Sequence, residues 1–405
     1  MISHQQNGLT LEQPFYTDES IFKLDVEKII KAPETWHLVG HISRLPKAGD
    51  YFLVNIAGES IIVVRNKTGE INAFYNVCRH RGSRICLKNE GHSLLLVCPY
   101  HAWSYDLDGA IKVARDMPEG FDKSKWGLHE CHAHVAEGLI FINLCDGPLT
   151  DFDDVYRDYM KYLKPHDLAS AKIALRRVYP TPANWKLVYE NFAECYHCVP
   201  SHPEYCTIHS PQKLRAFGAG KGSGSPEDVA LFQDELNAWE KRAGALGHLI
   251  DSIDEADVKG PYFRSAGRYP IQEGYETESK GGQPVAPLMG HLKDFDGGQT
   301  AVSFSPFYTV IANPDYTIIF RFTPISVLET EVELTWLVRG DSEEGKDYNL
   351  EDLAWAWHAT NIQDGEIVTN NQKGVLSLKY APGPYAKMEV RINEFIRWYL
   401  NRLNK

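Results

Sequence analysis

Two short stretches of the chain each offer one cysteine and one histidine. They are Cys78-Arg79-His80 and, after seventeen intervening residues, Cys98-Pro99-Tyr100-His101. Two thiolates and two imidazoles can hold a [2Fe–2S] cluster asymmetrically, with both cysteines on one iron and both histidines on the other. Neutral imidazole in place of anionic thiolate lowers the negative charge and raises the potential. That suits an electron relay feeding an oxygen-using site. A structural zinc ion is the alternative, since it takes the same residue types. Zinc spacing usually opens with a C-x2–4-C knuckle and closes with H-x3–5-H. Here each loop is mixed, which favours the cluster.

A second constellation lies in Glu190-Asn191-Phe192-Ala193-Glu194-Cys195-Tyr196-His197-Cys198-Val199-Pro200-Ser201-His202. The spacing predicts a helix over 184–198, with Asn191, Glu194 and His197 three apart on one face. Pro200 interrupts it, which frees His202 to approach His197. Two histidines and a carboxylate on one face of an octahedral iron leave positions open for O2 and substrate. Taken alone, a His-x4-His spacing in a loop carries no such meaning.

The two constellations together resemble the Rieske non-haem iron oxygenases, specifically their α (oxygenase) subunits. C-x-H-x17-C-x2-H is the signature of that branch. Cytochrome-complex Rieske proteins add a cysteine to each loop, where this chain has Ser83 and Tyr100. Glu194, His197 and His202 match the family's acid-x2-His-x4-His pattern, and Asn184-Trp185-Lys186 is similar too. The resemblance implies a cluster on Cys78, His80, Cys98 and His101, and a mononuclear Fe(II) on His197 and His202. It implies that Glu194, beside Asn191, bridges to a cluster histidine of a neighbouring subunit in a homotrimer. The third iron ligand is then a carboxylate late in the chain. Asp364 is the candidate, because Trp357, Asn361, Asp364 and Val368 fall on one helix face and a buried acid there needs a cation. Glu366 is the fallback.

Around these sites the pattern changes from short strands to mixed elements. Residues 9–35 show helical spacing, and residues 1–35 form an N-terminal segment packing on the catalytic domain. Short strands over 37–41, 51–57, 60–65, 71–75, 94–97, 103–107 and 138–144 predict a small antiparallel β domain over 36–146. Residues 147–405 form the second domain, with strands over 173–178, 301–304, 308–312, 316–324 and 330–338 and helices over 227–246, 347–371 and 389–403. The fold class is α+β. Gly218-Ala219-Gly220-Lys221-Gly222-Ser223-Gly224 matches neither phosphate-binding glycine motif and reads as a loop. The stretch 281–298 is loop-like and suited to covering a pocket.

Composition narrows the partners. The 405 residues carry a net charge of −12, which argues against nucleic acid and anionic membrane surfaces. Met1 to Gly8 is polar, and no run of eighteen apolar residues occurs, so a soluble cytoplasmic protein is expected. Of eight cysteines, Cys86, Cys131, Cys145, Cys195, Cys198 and Cys206 lie outside the cluster loops and are expected as packed thiols.

Without a flavin or nicotinamide motif, electrons must come from a separate reductase; the resemblance implies one that uses NAD(P)H and carries flavin and iron–sulfur centres. Leu11-Glu12-Gln13-Pro14-Phe15-Tyr16, Glu194 and the 190–198 stretch resemble the glycine betaine monooxygenase and N-methylproline (stachydrine) demethylase group, near choline and carnitine monooxygenases. That resemblance implies oxygen insertion into an N-methyl C–H bond of a small-molecule substrate, then loss of formaldehyde. Dioxygenation of an aromatic acid is the alternative reaction, and electron transfer or zinc binding without catalysis is the alternative class. A quaternary ammonium substrate calls for aromatic faces, for which Phe192, Tyr196, Phe304, Phe307 and Tyr308 are candidates.

Overall fold

The computed structural model describes residues 8–216, 224–255 and 260–404. The glycine-rich stretch, apart from Gly224, and the polar start of the chain lie outside them. The chain forms two compact units: Ile30–Val155, and the segment ending at Ile29 together with the chain from Tyr156 onward. These divisions differ from the sequence-based ones at 35/36 and 146/147. Phe152 packs on Trp36 and Phe141, which draws the connecting segment into the first unit.

The first unit is antiparallel β, as its short strands and frequent turns predict. Its larger sheet runs His37–His41, Leu139–Asn143, Glu130–Ala136, Ile71–Tyr75, Glu59–Arg65, Asp50–Ile56, Glu90–His92. Leu96–Val97, Ser104–Tyr105 and Ile111–Val113 make a smaller sheet. Phe74, Leu96, Trp103, Tyr105 and Leu107 share one core. Asn76 ties the ends of the first Cys-His loop together. Its Oδ1 accepts from the Ile85 and Cys86 N–H groups at 2.9 Å, and its Nδ2 donates to the Cys86 carbonyl at 2.8 Å.

The second unit is built on seven strands. Their order is Ala171–Thr181, Glu329–Arg339, Tyr316–Ser326, Tyr308–Ala312, Gly298–Ser305, Arg264–Pro270, Ser252–Glu255. Every pairing is antiparallel. The last two strands were not foreseen from the sequence; Ser252–Glu255 is short and polar, and Arg264–Pro270 carries Gly267 and two arginines. The α+β class therefore holds for the whole chain, one unit β and the other mixed.

Three helices position the chemistry: Trp185–Phe192, Leu350–Val375 and Val390–Leu403. Asn184 caps the first by accepting from the Lys186 N–H at 3.0 Å, satisfying one of the free amides of the helix start. The same residue holds its neighbours in place. Its N–H donates to Gln372 Oε1 on the long helix at 2.9 Å, and its Nδ2 donates to the Val327 carbonyl at 2.8 Å.

Beneath this helix lies a buried charge cluster. Asp25 accepts from Trp185 Nε1 (3.0 Å), Lys186 Nζ (2.6 Å) and Tyr399 Oη (2.7 Å). Neither charged side chain is exposed. Burial pushes the Lys186 ammonium below its usual pKa, and Asp25 works against that. One carboxylate thus joins the N-terminal segment, the site helix and the C-terminal helix. Asp25→Ala leaves Lys186 buried and uncompensated, and is expected to cost about 3–5 kcal/mol. Chemical denaturation checks this, with Asp25→Leu/Lys186→Met expected to recover most of the loss.

Candidate functional site

In the first unit the two Cys-His loops share one backbone geometry. The Cys78 N–H donates to the Ser83 carbonyl at 2.8 Å, and the Cys98 N–H to the Trp103 carbonyl at 2.8 Å. The Cys78 carbonyl accepts from Gly82 and the Cys98 carbonyl from Ala102, each at 3.0 Å. Gly82 and Ala102 both take positive φ, 76° and 58°. For Ala102 that backbone is costly, and the loop retains it.

Matching loops put matching residues side by side. Cys78 and Cys98 are buried, while His80 and His101 are exposed. The two imidazoles lie 4.7 Å apart, nearly perpendicular, and His80 stacks on Trp103 at 4.8 Å. Burial pushes the Cys78 thiol above its ordinary pKa, so a thiolate there calls for a cation. Tyr105, which sequence reasoning passed over, places its hydroxyl 3.3 Å from Cys78 Sγ and accepts from the Arg79 N–H at 3.1 Å. The donor set, with thiols inside and imidazoles at the surface, fits the asymmetric cluster.

In the second unit the helix carrying Asn191 ends at Phe192, earlier than predicted. Glu194 accepts from the backbone N–H groups of Tyr196 and His197, offering these amides an alternative to continuing the helix. Glu194 and His197 therefore meet through a turn and not on a helix face. Glu194 Oε1 lies 2.5 Å from His197 Nδ1, and Asn191 Nδ2 lies 3.3 Å from His197 Nε2. The same turn corrects a second expectation. Cys195 and Cys198 are not packed thiols but a disulfide; their C-x2-C turn sets the Cα atoms 4.9 Å apart, within bridging range. Cys86, Cys131, Cys145 and Cys206 are free.

The long helix brings Asp364 to both histidines. Asp364 Oδ1 is 3.3 Å from His197 Nε2 and 3.0 Å from His202 Nε2. His202 Nδ1 lies 2.8 Å from Gln363 Oε1, and Gln363 Nε2 donates to Glu204 at 2.9 Å. Gln363 has only an acceptor to offer at that contact, so His202 carries its proton on Nδ1. Its Nε2 lone pair then faces the carboxylate. Both His202 Nε2 and Asp364 Oδ1 are buried without a hydrogen bond. Two acceptors held face to face out of water are costly unless a cation lies between them. Two imidazoles and one carboxylate suit a non-haem ferrous ion. Cys198 also lies near this group, but its sulfur is committed to Cys195. Glu366, the fallback ligand, is exposed.

The site draws positive charge. Burial alone would lower the His197 pKa, yet Asp364 and Glu194 raise it to about 9. Burial alone would raise Asp364, yet the neighbouring His197 and His202 hold it below the ordinary carboxylate value.

A cavity adjoins Asp364. Asn191, Phe192, Phe320, Phe322, Trp357 and Asn361 are among its lining residues. Phe192 lies 5.4 Å from Phe320 and 4.9 Å from Phe322, and Phe320 lies 5.0 Å from Trp357. Of the five aromatic candidates from sequence, only Phe192 lines it. Tyr196 is 59% exposed. Phe304 and Tyr308 pack on each other, with Tyr156 against Phe304, and Phe307 packs on Trp185. Phe320 and Phe322 were missed; their i, i+2 spacing puts them on one strand face, but only the sheet tells which face.

Two outcomes are expected of this site. Asp364→Ala should lose mononuclear iron, by metal analysis, while keeping the cluster's visible absorption. A metal must also displace the proton that His197 holds below about pH 9. Metal binding releases that proton, so affinity falls as pH falls. Co(II) titration of iron-depleted protein should show about a tenfold gain per pH unit from about pH 7 to 8.5; a flat profile would contradict it.

The chain matches known proteins over both units. Residues 35–133 match the Rieske [2Fe-2S] domain, and residues 152–405 match the ring hydroxylating alpha subunit (catalytic domain). It is 34% identical over 410 residues to the glycine betaine monooxygenase oxygenase subunit of Pseudomonas aeruginosa (strain UCBPP-PA14), covering 100% of this chain and 91% of that one. It is 37% identical over 210 residues to the carnitine monooxygenase oxygenase subunit of Escherichia coli (strain K12), covering 50% of this chain and 54% of that one. A solved quaternary ammonium Rieske monooxygenase in complex with L-carnitine shares the fold, with a TM-score of 0.70 at 20% identity, over 100% of this chain and 98% of that one. The matched domains imply a Rieske cluster and a mononuclear non-haem iron. With both domain models matched and a relative aligned along the whole chain, this chain belongs to the Rieske oxygenase α subunits.

Proposed function

We propose that the protein hydroxylates an N-methyl group of a quaternary ammonium or betaine-like substrate. The observation that carries this reading is the aromatic cavity beside Asp364, formed by Phe192, Phe320, Phe322 and Trp357 with no basic side chain in its lining among the described residues. Aromatic faces attract a cation lacking hydrogen-bond donors, at about 0.5–2 kcal/mol per ring. The names of the betaine and carnitine relatives support the same reading. An aromatic acid would favour a mostly aliphatic pocket, and would bring its own negative charge toward Asp364.

In this proposal Cys78, His80, Cys98 and His101 hold the cluster, and His197, His202 and Asp364 hold the iron. When bound, the two centres supply electron transfer and activation of O2. Electrons come from a separate flavin/iron–sulfur NAD(P)H reductase. The protein's own residues hold geometry and protons. Gln363 fixes the His202 tautomer, and Glu194 orients His197. Glu194 is also the inter-subunit electron bridge, reaching a cluster histidine of the next subunit in a homotrimer. Asn191 supports His197 from the helix end. The aromatic rings place a methyl group beside Asp364 and exclude water.

The reaction balances as R–N(CH3)3+ with O2, two electrons and two protons giving R–N(CH3)2, formaldehyde, water and one proton. The N-hydroxymethyl product breaks its C–N bond, leaving the electron pair on nitrogen. Purified protein with a surrogate reductase should release one formaldehyde per O2 consumed from glycine betaine or carnitine, and none from aromatic acids. A cis-diol from an aromatic acid, without formaldehyde from any ammonium compound, would overturn the proposal. Glu194→Ala is expected to keep both metal centres yet lose coupled turnover, by metal analysis and by formaldehyde formed per NADH; normal turnover would remove Glu194 from the mechanism.

A further inference from the structure

We infer that Glu278 is a specificity-determining residue, holding and charging Trp357 so that the cavity prefers a cation over a neutral group of the same shape. This rests on the ammonium reading above and deepens it.

Glu278 lies in the irregular stretch between the Arg264–Pro270 and Gly298–Ser305 strands, and its side chain is fully buried. Its Oε2 accepts from Trp357 Nε1 and from Asn313 Nδ2, each at 3.1 Å. The Gln299 amide, oriented to suit its neighbours, donates to Oε1. His209 Nδ1 lies 3.1 Å from Lys213 Nζ and accepts from it, so His209 carries its proton on Nε2, 3.4 Å from Glu278 Oε1. Four donors, from Trp357, Asn313, Gln299 and His209, thus converge on the carboxylate and favour its ionised form, working against burial and the nearby Asp315, which push its pKa up. Lys213 is the nearby cation. It sits on the Oε1 side, across Gln299 and His209, and also donates to the Pro270 carbonyl at 2.9 Å. The Oε2 side faces the indole.

Two consequences follow for the cavity. The polar edge of Trp357 is committed to Glu278, so the part of the ring that lines the cavity is carbon. Phe320 at 5.0 Å and Tyr205 at 5.6 Å hold that ring in place. An indole donating its N–H to an anion is also richer in π electrons, and Trp is the strongest cation–π partner. Little water screens this pair, so the carboxylate acts across the ring at reduced dielectric. A purely structural partner of Lys213 would have neither effect on charge discrimination.

The experiment compares glycine betaine with its carbon isostere, 3,3-dimethylbutyrate, by calorimetry on the full-length protein loaded with cluster and iron. Glu278→Gln keeps size and an acceptor but removes the charge. It is expected to weaken glycine betaine about tenfold and to change the isostere less than twofold. Trp357→Phe keeps a ring without the N–H, and in that background Glu278→Gln should cost less than threefold. Trp357→Phe alone, which tests the inference even if Glu278→Gln does not fold, should weaken glycine betaine and spare the isostere. Equal weakening of both ligands in either variant, or no change, overturns the inference while the wild type still prefers glycine betaine. A wild type that does not distinguish the two ligands overturns the ammonium reading and the inference with it.

Discussion

The catalytic unit depends on one unfavourable contact, the face-to-face approach of the His202 Nε2 lone pair and Asp364 Oδ1 at 3.0 Å. Neither atom has a hydrogen bond, and neither can turn away. His202 is held by Gln363, itself held by Glu204, and Asp364 is carried on the rigid Leu350–Val375 helix. A fold that holds two acceptors together in a buried place has committed that place to a cation. The raised His197 pKa expresses the same demand, with a proton in the cation's role.

Much of the remaining architecture maintains that contact. The Asn184 bonds to Gln372 and Val327 fix the site helix against the long helix and the sheet. Asp25 fixes it from below through Trp185 and Lys186. These polar groups are buried and bonded to residues distant in sequence, so they set one geometry where apolar packing alone would tolerate several. The cluster unit works by a different device. Two loops of the same hydrogen-bonding pattern place like residues together, cysteines inward and histidines outward.

What was legible in the sequence follows from how local each signal is. The Cys-His loops could be read directly, because each is a short motif whose spacing sets its own geometry. Asp364 could be read because helical periodicity aligned it with Trp357 and Val368, and family resemblance called for a late carboxylate. Gln363 carried no signal, since its partner lies far along the chain. The aromatic wall was mostly misassigned. Phe304, Phe307 and Tyr308 look the same in sequence as Phe320 and Phe322, and only strand order and register decide which of them face the cavity. Glu278 sits where no periodicity exists at all. The Cys195–Cys198 pair had a readable C-x2-C spacing, obscured by the expectation that a cytoplasmic protein keeps its thiols reduced.

In the function proposed above, His197, His202 and Asp364 hold a ferrous ion beside an aromatic cavity that receives an ammonium group. Electron paramagnetic resonance of the nitric oxide adduct of the Fe(II)-loaded protein tests it most directly. An S = 3/2 iron–nitrosyl signal is expected, its shape changing when glycine betaine is added and the signal lost in Asp364→Ala. A wild-type protein with full iron content that gives no such signal, or a signal that persists in Asp364→Ala, would contradict it.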